Sequence, residues 1–276
     1  MQRAATTRTK VQAMSIGITA IDKEAGRYAY HVERRWSSNT DMFGGATFGV
    51  LIEALEAAST LPLLTASVQF IQTAQRDKTL EIQTRTLAEG KLTSQMQAIA
   101  NQDGAPACIV AAAMGALPAA MPAAAPFPVV PDPEACPPRT FTRFIPGSFT
   151  YTLDVRNAGA DANGCRLWAR WPDARGQPLG ASLLAVYADH PPYGISLARG
   201  AEWYGLTLDS VLRMAAPLDG LDSGDWILVD MHFNAVGERF AHCSVDLWSA
   251  NGTLLAIGGQ AMRLRRWQSS PAAAKT

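Results

Sequence analysis

Apolar and polar positions alternate along this chain in two successive series that follow the same order. In residues 226–236, Ile227, Val229, Met231 and Phe233 share one face, the period-2 pattern of an antiparallel strand with one side against a core. The same alternation predicts strands at 29–35, 65–71, 80–89, 92–101 and 107–117. In the second series it predicts them at 148–155, 165–171, 206–212, 226–236, 240–249 and 254–265. A hairpin turn is expected at Lys23 to Gly26, ahead of Tyr28, Tyr30 and Val32.

Each series contains one stretch with helical spacing. Phe48, Leu51, Ile52 and Leu55 follow Phe43-Gly44-Gly45, with Asn39, Thr40 and Asp41 as candidate caps. Leu179, Leu183, Leu184, Val186 and Tyr187 follow Gln177-Pro178, and Pro191-Pro192 ends that helix just after Asp189-His190. A helix apolar on nearly every side must be buried rather than laid on a surface. Both series therefore read as strands, one buried helix, then four more strands. The Gly-to-Met run also recurs with equal spacing, Gly104 to Met114 and Gly252 to Met262. The implied fold is α+β, a duplicated unit in which a curved antiparallel sheet wraps a single helix.

Between Asp103 and Asp132 the chain carries no charge. A membrane span is excluded as a reading because Pro106, Pro118, Pro122, Pro126, Pro128 and Pro131 interrupt it, each costing about 3 kcal/mol inside a helix. Instead, residues 118–138 read as an extended Ala/Pro linker. The expected organisation is an N-terminal repeat at 11–117, the linker at 118–138, and a C-terminal repeat at 139–267. With net charge zero and a pI near 6.9, the chain has no electrostatic footprint for nucleic acid or an anionic membrane. Its four cysteines form no CxxC pair and read as free thiols; the polar start, Met1 to Lys10, lacks the apolar core of a signal peptide. A cytoplasmic protein is the resulting expectation.

Three polar residues of the second series fall where the pattern predicts burial. Asp189 ends an apolar helix, where the helix dipole disfavours an anion. Thr207 opens a strand, and Gln260 shares a strand face with Leu254, Ala256, Met262 and Leu264. A carboxylate, a hydroxyl and an amide converging on one point can hold and polarise a water for hydrolysis. The first series has Ala112 in place of Gln260, offers Thr65 near the position of Thr207, and has no clear counterpart of Asp189. Asp209 is two residues from Thr207 and is expected on the same strand face, as a structural group or a substrate contact. Gly44-Gly45 before a helix is a candidate anion-binding turn for a thioester oxygen or a phosphate. Each of these has a plainer alternative in loop capping, strand packing or close helix–sheet approach. The four histidines show no metal-ligand spacing, His190 reads as a loop residue, and no G-x-S-x-G elbow supports a serine nucleophile.

The motifs Phe43-Gly44-Gly45, Ser67-Val68-Gln69-Phe70, Tyr187-Ala188-Asp189, Thr207-Leu208-Asp209, Asp225-Trp226-Ile227-Leu228 and Asn251-Gly252-Thr253-Leu254-Leu255-Ala256, followed by Gln260, occur in one order along the chain. In this order the sequence resembles the double-hot-dog acyl-CoA thioesterases (TesB-like) over residues 28–267. The resemblance implies two hot-dog units on one chain and hydrolysis of an acyl-CoA or related thioester. It implies a water positioned by Asp189, Thr207 and Gln260, with no metal, cofactor or covalent intermediate. The chain departs from the family pattern at Ser210, at Ala261-Met262 and at Pro191-Pro192, which bear on substrate and chain length. The acyl chain is expected in a tunnel between helix and sheet, the site beside a pocket, and the protein in a homo-oligomer. Two rival readings are a non-catalytic acyl- or polyketide-binding hot-dog protein and a hot-dog dehydratase or hydratase. The latter should carry an Asp and a His about five residues apart near a helix start, a pair this chain lacks.

Overall fold

Period-2 burial builds one continuous antiparallel sheet of twelve strands in the computed structural model, which describes residues 16–139 and 145–267. The first half supplies β1 (Thr19–Asp22), β2 (Arg27–His31), helix α1 (Gly44–Ala57), β3 (Leu63–Phe70), β4 (Thr79–Glu89), β5 (Thr93–Gln102) and β6 (Ala105–Gly115). The second supplies α2 (Phe149–Thr152), β7 (Asp154–Asp161), β8 (Gly164–Arg170), α3 (Ala181–Ala188), α4 (Pro191–Arg199), β9 (Trp203–Met214), β10 (Ile227–Val236), β11 (Phe240–Ser249) and β12 (Leu254–Arg266). In space the halves run β1-β2-β4-β5-β6-β3 and β7-β8-β10-β11-β12-β9, so one strand order is used twice. They join where β3 pairs antiparallel with β9, from Thr65↔Arg213 to Gln69↔Asp209. This is the double hot-dog architecture.

The two helices fill the concave side. Phe48, Val50, Leu51, Ile52 and Leu55 of α1 and Leu183, Leu184, Val186 and Tyr187 of α3 are all buried in the main core. Missing side chains let the helices cross closely. A Cβ on Gly45 would lie 2.9 Å from the Ala185 carbonyl oxygen and from Val186 Cα, and one on Gly49 would lie 2.7 Å from the Ser182 oxygen. Small residues at such a crossing trade side-chain burial for backbone approach.

Local structure departs from expectation where a nearby partner outweighs the pattern. Residues 148–155 are not a continuous strand, because Phe149–Thr152 turns helical before β7 begins at Asp154. The strand expected over 29–35 stops at His31, and Arg34–Trp36 forms a 3-10 turn that buries Trp36. Helix α3 starts at Ala181 rather than at Pro178, since Pro178 bridges to Asp222 and the Gln177 carbonyl accepts from Ser223 N–H. Pro191 ends α3 and also opens α4, because proline at the first helical position lacks only an N–H that would be unpaired there anyway. Asn39, Thr40 and Asp41 do not cap α1; its cap position is Phe43.

Within 118–138 the backbone makes no strand and one short 3-10 turn, Pro133–Ala135. Phe127, Val130 and Cys136 pack on Trp168, Leu228, Trp248 and Leu254. The sequence neighbours Leu167, Val229, Leu247 and Leu255 face the helices, so this second cluster lies on the opposite side of the sheet. Trp168 Nε1 donates to the Pro131 carbonyl at 2.9 Å, and Phe127 meets Trp248 edge-on at 5.7 Å. The segment thus covers tryptophans that would otherwise face water. Phe127→Ala is expected to lower stability by about 1–2 kcal/mol while leaving turnover intact, as read by thermal melting beside a thiol-release assay. Among the described residues no helix is long and apolar enough to cross a membrane.

Candidate active site

Asp189 is the C-terminal cap of α3, at the unfavourable end of its own helix. The tertiary fold reverses that disadvantage by setting the N-terminus of α1 against the carboxylate. Gly45 N–H donates to Asp189 Oδ2 at 2.6 Å, and Thr207 Oγ1 donates to Oδ1 at 3.0 Å. Phe43 has no side-chain acceptor to cap α1, so a carboxylate 144 residues away in sequence accepts the free N–H instead. The glycines are required for this approach: a Cβ on Gly44 would lie 2.7 Å from Oδ2, and one on Gly45 would lie 2.8 Å from Asp189 Cβ. Asp189 is 3% exposed. Burial pushes its carboxyl up to about 7, with the hydrogen bonds from Thr207 and Gly45 pulling the other way.

Thr207 reaches the carboxylate through an irregularity in β9. Thr207 pairs with Met262 but Asp209 pairs with its neighbour Ala261, leaving Leu208 as the extra residue of a bulge. The expected common face of Thr207 and Asp209 is therefore broken. Asp209 Oδ1 accepts from Ala261 N–H at 2.7 Å, which satisfies the ladder at the bulge. Strand β3 carries the same irregularity, pairing Leu63 with Met114 and Thr65 with Ala113. The counterpart of Thr207 in the first half is thus Leu63, and Thr65 corresponds to Asp209. Comparing sequence spacing alone missed this one-position slip.

Gln260 is buried opposite Ser210. Its Nε2 approaches the carbonyl of Ala188, the residue before Asp189, at 3.5 Å, and its Oε1 has no hydrogen-bond partner. The structure therefore joins Asp189 and Thr207 directly and puts Gln260 beside the same helix end, without a direct bond to either. Of the double glycine expected to meet a ligand oxygen, the Gly45 amide is committed to Asp189. Two cavities lie away from this group. The larger described cavity, about 260 Å³, lies under α4 and is lined by Ala162, Ile195, Ala198, Arg199, Phe233 and Val236. The second is lined by residues from Ala58 to Met96 of the first half, and neither borders Asp189.

His190 lies in the junction between α3 and α4, outside both helices as expected, and it is buried. It caps α4, is 2% exposed, and shares Nδ1 with the Tyr187 carbonyl at 2.9 Å. Burial first, and then the nearby Arg139 charge, push its pKa down to about 3, so the ring is neutral. It packs edge-on against Phe43, the cap residue of α1, at 5.9 Å. Proline after Asp-His was the available signal, since it marks a second helix whose cap turns inward.

Comparison with known proteins shows the family to which the chain belongs. Residues 32–116 match the acyl-CoA thioesterase N-terminal domain and residues 118–264 the acyl-CoA thioesterase C-terminal domain. Among solved structures, a protein assigned as a thioesterase from Novosphingobium aromaticivorans DSM 12444 is 27% identical, with a TM-score of 0.80 over 90% of this chain and 98% of that one. A hot-dog-fold protein of unknown function from Alicyclobacillus acidocaldarius is 17% identical, with a TM-score of 0.78 over 91% and 97% of the two chains. Acyl-CoA thioesterase II TesB2 of Mycobacterium marinum is 16% identical, with a TM-score of 0.73 over 91% and 97%. No curated protein shows a significant sequence match. The chain belongs to the acyl-CoA thioesterase family and is a thioester hydrolase.

Proposed function

We propose that Asp189 is the general base of acyl-CoA hydrolysis, and that Thr207 and Gln260 orient the carboxylate and the attacking water. The observation that carries this reading is a buried carboxylate held by Gly45 and Thr207 with its pKa pushed up to about 7. A base poised near working pH combines a useful ionised fraction with a real tendency to take a proton. In the reaction, Asp189 removes a proton from water as the water oxygen bonds to the thioester carbon. The tetrahedral intermediate then collapses with cleavage of the carbon–sulfur bond, and the Asp189 proton passes to the leaving sulfur. The products are a free acid and a thiol, and the carboxylate is regenerated. Gln260 Oε1, buried beside Ala188 without a partner, suits it to accept the second proton of that water in a hydrogen bond.

The sign of the pH dependence follows from the base being active only when ionised. Turnover of an acyl-CoA, followed as thiol release, is expected to fall as pH drops through about 7 and to level off above it. A rate that stays flat across that range would remove Asp189 from the role of base.

A further inference from the structure

We infer that the nucleotide end of coenzyme A binds on the arginine-rich edge of β9 and β12, an assignment that rests on the thioester-hydrolase reading. Pairing of β9 with β3 ends at Gln69↔Asp209, yet β9 begins at Trp203. Its residues 203–208 are paired on one side only, by β12 from Trp203↔Arg266 to Thr207↔Met262. Thr207, the residue bonded to Asp189, lies on this free edge. Ile71, Leu206 and Leu208 beside it are 51%, 38% and 39% exposed. The notch between the two halves thus leaves Thr207 partly exposed beside a carboxylate that is itself buried.

Next to the notch the sheet carries a run of cations. Arg263 pairs with Leu206 and Arg265 with Tyr204 on the face turned away from Met262 and Leu264, Arg266 pairs with Trp203 on the face those two residues share, and all three arginines are exposed. Arg199, in the last turn of α4, and Arg266 both lie over the Trp203 ring, at 4.9 and 4.3 Å from its centre. None of these four forms an ion pair with a described carboxylate, although Glu202 and Glu238 stand in the adjoining turns. Residues 268–276 contain no Asp or Glu. Tyr204 stacks on Trp267 at 4.2 Å, and Trp267 is 42% exposed.

Arg263 and Arg265, two residues apart on the face that carries the Tyr204–Trp267 pair and without a carboxylate partner, repel one another, so fold stability does not explain them. They match a ligand with several phosphates, which guanidinium groups bind in bidentate fashion, beside aromatic rings on which a flat base can stack. Coenzyme A has both parts, a pyrophosphate with a 3′-phosphate and an adenine, on a flexible pantetheine arm. Tyr204 and Thr207 are three strand positions, about 10 Å, apart and face opposite sides of the sheet, a gap for that arm to span by passing over the free edge. An acidic carrier protein would answer the charge but has no flat base to use the aromatic pair.

The test compares one acyl group carried on coenzyme A, on pantetheine and on acyl-carrier protein, with wild type and the double variant Arg263→Ser, Arg265→Ser. Neither arginine touches Asp189, Thr207 or Gln260. The expected result is a KM for acyl-CoA raised by about tenfold or more at nearly constant kcat, with the pantetheine thioester unaffected. Free coenzyme A should bind wild type by calorimetry, more weakly at high salt, and bind the variant at least tenfold less tightly. Equal KM values for the coenzyme A and pantetheine thioesters in wild type would overturn the assignment. So would a loss in the variant that is equal for both, or one confined to the carrier-protein substrate. If wild type cleaves none of the three, the hydrolase reading fails, and the calorimetric comparison still decides where coenzyme A binds.

Discussion

Asp189→Asn is expected to lower kcat for acyl-CoA hydrolysis by about 10²–10⁴-fold, the range for loss of a general base. The substitution keeps the shape of the side chain and leaves an amide oxygen for Gly45 N–H, so the contact between the halves survives. Stability should move the other way. The folded-state pKa of Asp189 is raised, so the native protein binds a proton more tightly than the unfolded chain, and this contribution is lost as pH rises through about 7. Above that pH the wild type buries a charge that the variant does not, and the variant should melt at an equal or higher temperature. Gln260→Ala should reduce kcat less than Asp189→Asn, because it removes an orienting group and leaves the base. Unchanged thiol release by Asp189→Asn, with intact melting, would show that this carboxylate is structural.

Gly45→Ala should damage stability and catalysis together. Its Cβ would meet Asp189 Cβ at 2.8 Å and two backbone atoms of α3, the Ala185 oxygen and Val186 Cα, at 2.9 Å. Backbone cannot rotate aside as a flexible side chain can, so α1 and α3 must separate. Overpacking of this kind costs about 1–3 kcal/mol. Separation also lengthens the bond from Gly45 N–H to Asp189, and positioning errors of this size cost about tenfold or more in rate. Gly237→Ala is the matched control, since the nearest atom to its added Cβ is the Phe240 oxygen at an ordinary 3.6 Å. Thermal melts of the two variants, run beside kcat, separate the outcomes. Equal melting and equal turnover for Gly45→Ala and wild type would show that the close helix crossing does not hold the site.

The duplicated sheet shows why the candidate polar set is complete in one half only. Leu63 occupies the bulge position of Thr207, and Ala112 occupies the strand position of Gln260. A hydroxyl and an amide in one half are thus a branched hydrocarbon and a methyl in the other. The first half keeps the backbone irregularity without the polar groups it presents in the second. What it contributes instead is the N-terminus of α1, so the site is shared between the repeats.

The repeat, the buried helices and most strands were legible in the sequence, because burial on one face of a strand or all round a helix leaves a local record of period 2 or 3.6. Residues 240–249, for example, appear unchanged as β11. The polar residues Asp189, Thr207 and Gln260 were also legible, as polar groups in positions that the pattern assigns to the core. Tertiary structure alone decided their partners. The bulge at Leu208 shifts register by one residue, moves Asp209 onto the Ala261 amide, and leaves no mark in hydrophobic spacing. The bond from Gly45 to Asp189 spans 144 residues, and it exists because the glycine-faced helix α1 crosses α3 of the other repeat at backbone distance. Hydrophobic periodicity records which face a residue turns inward; which group it meets there depends on strand register and helix crossing, set by the packing of the whole chain.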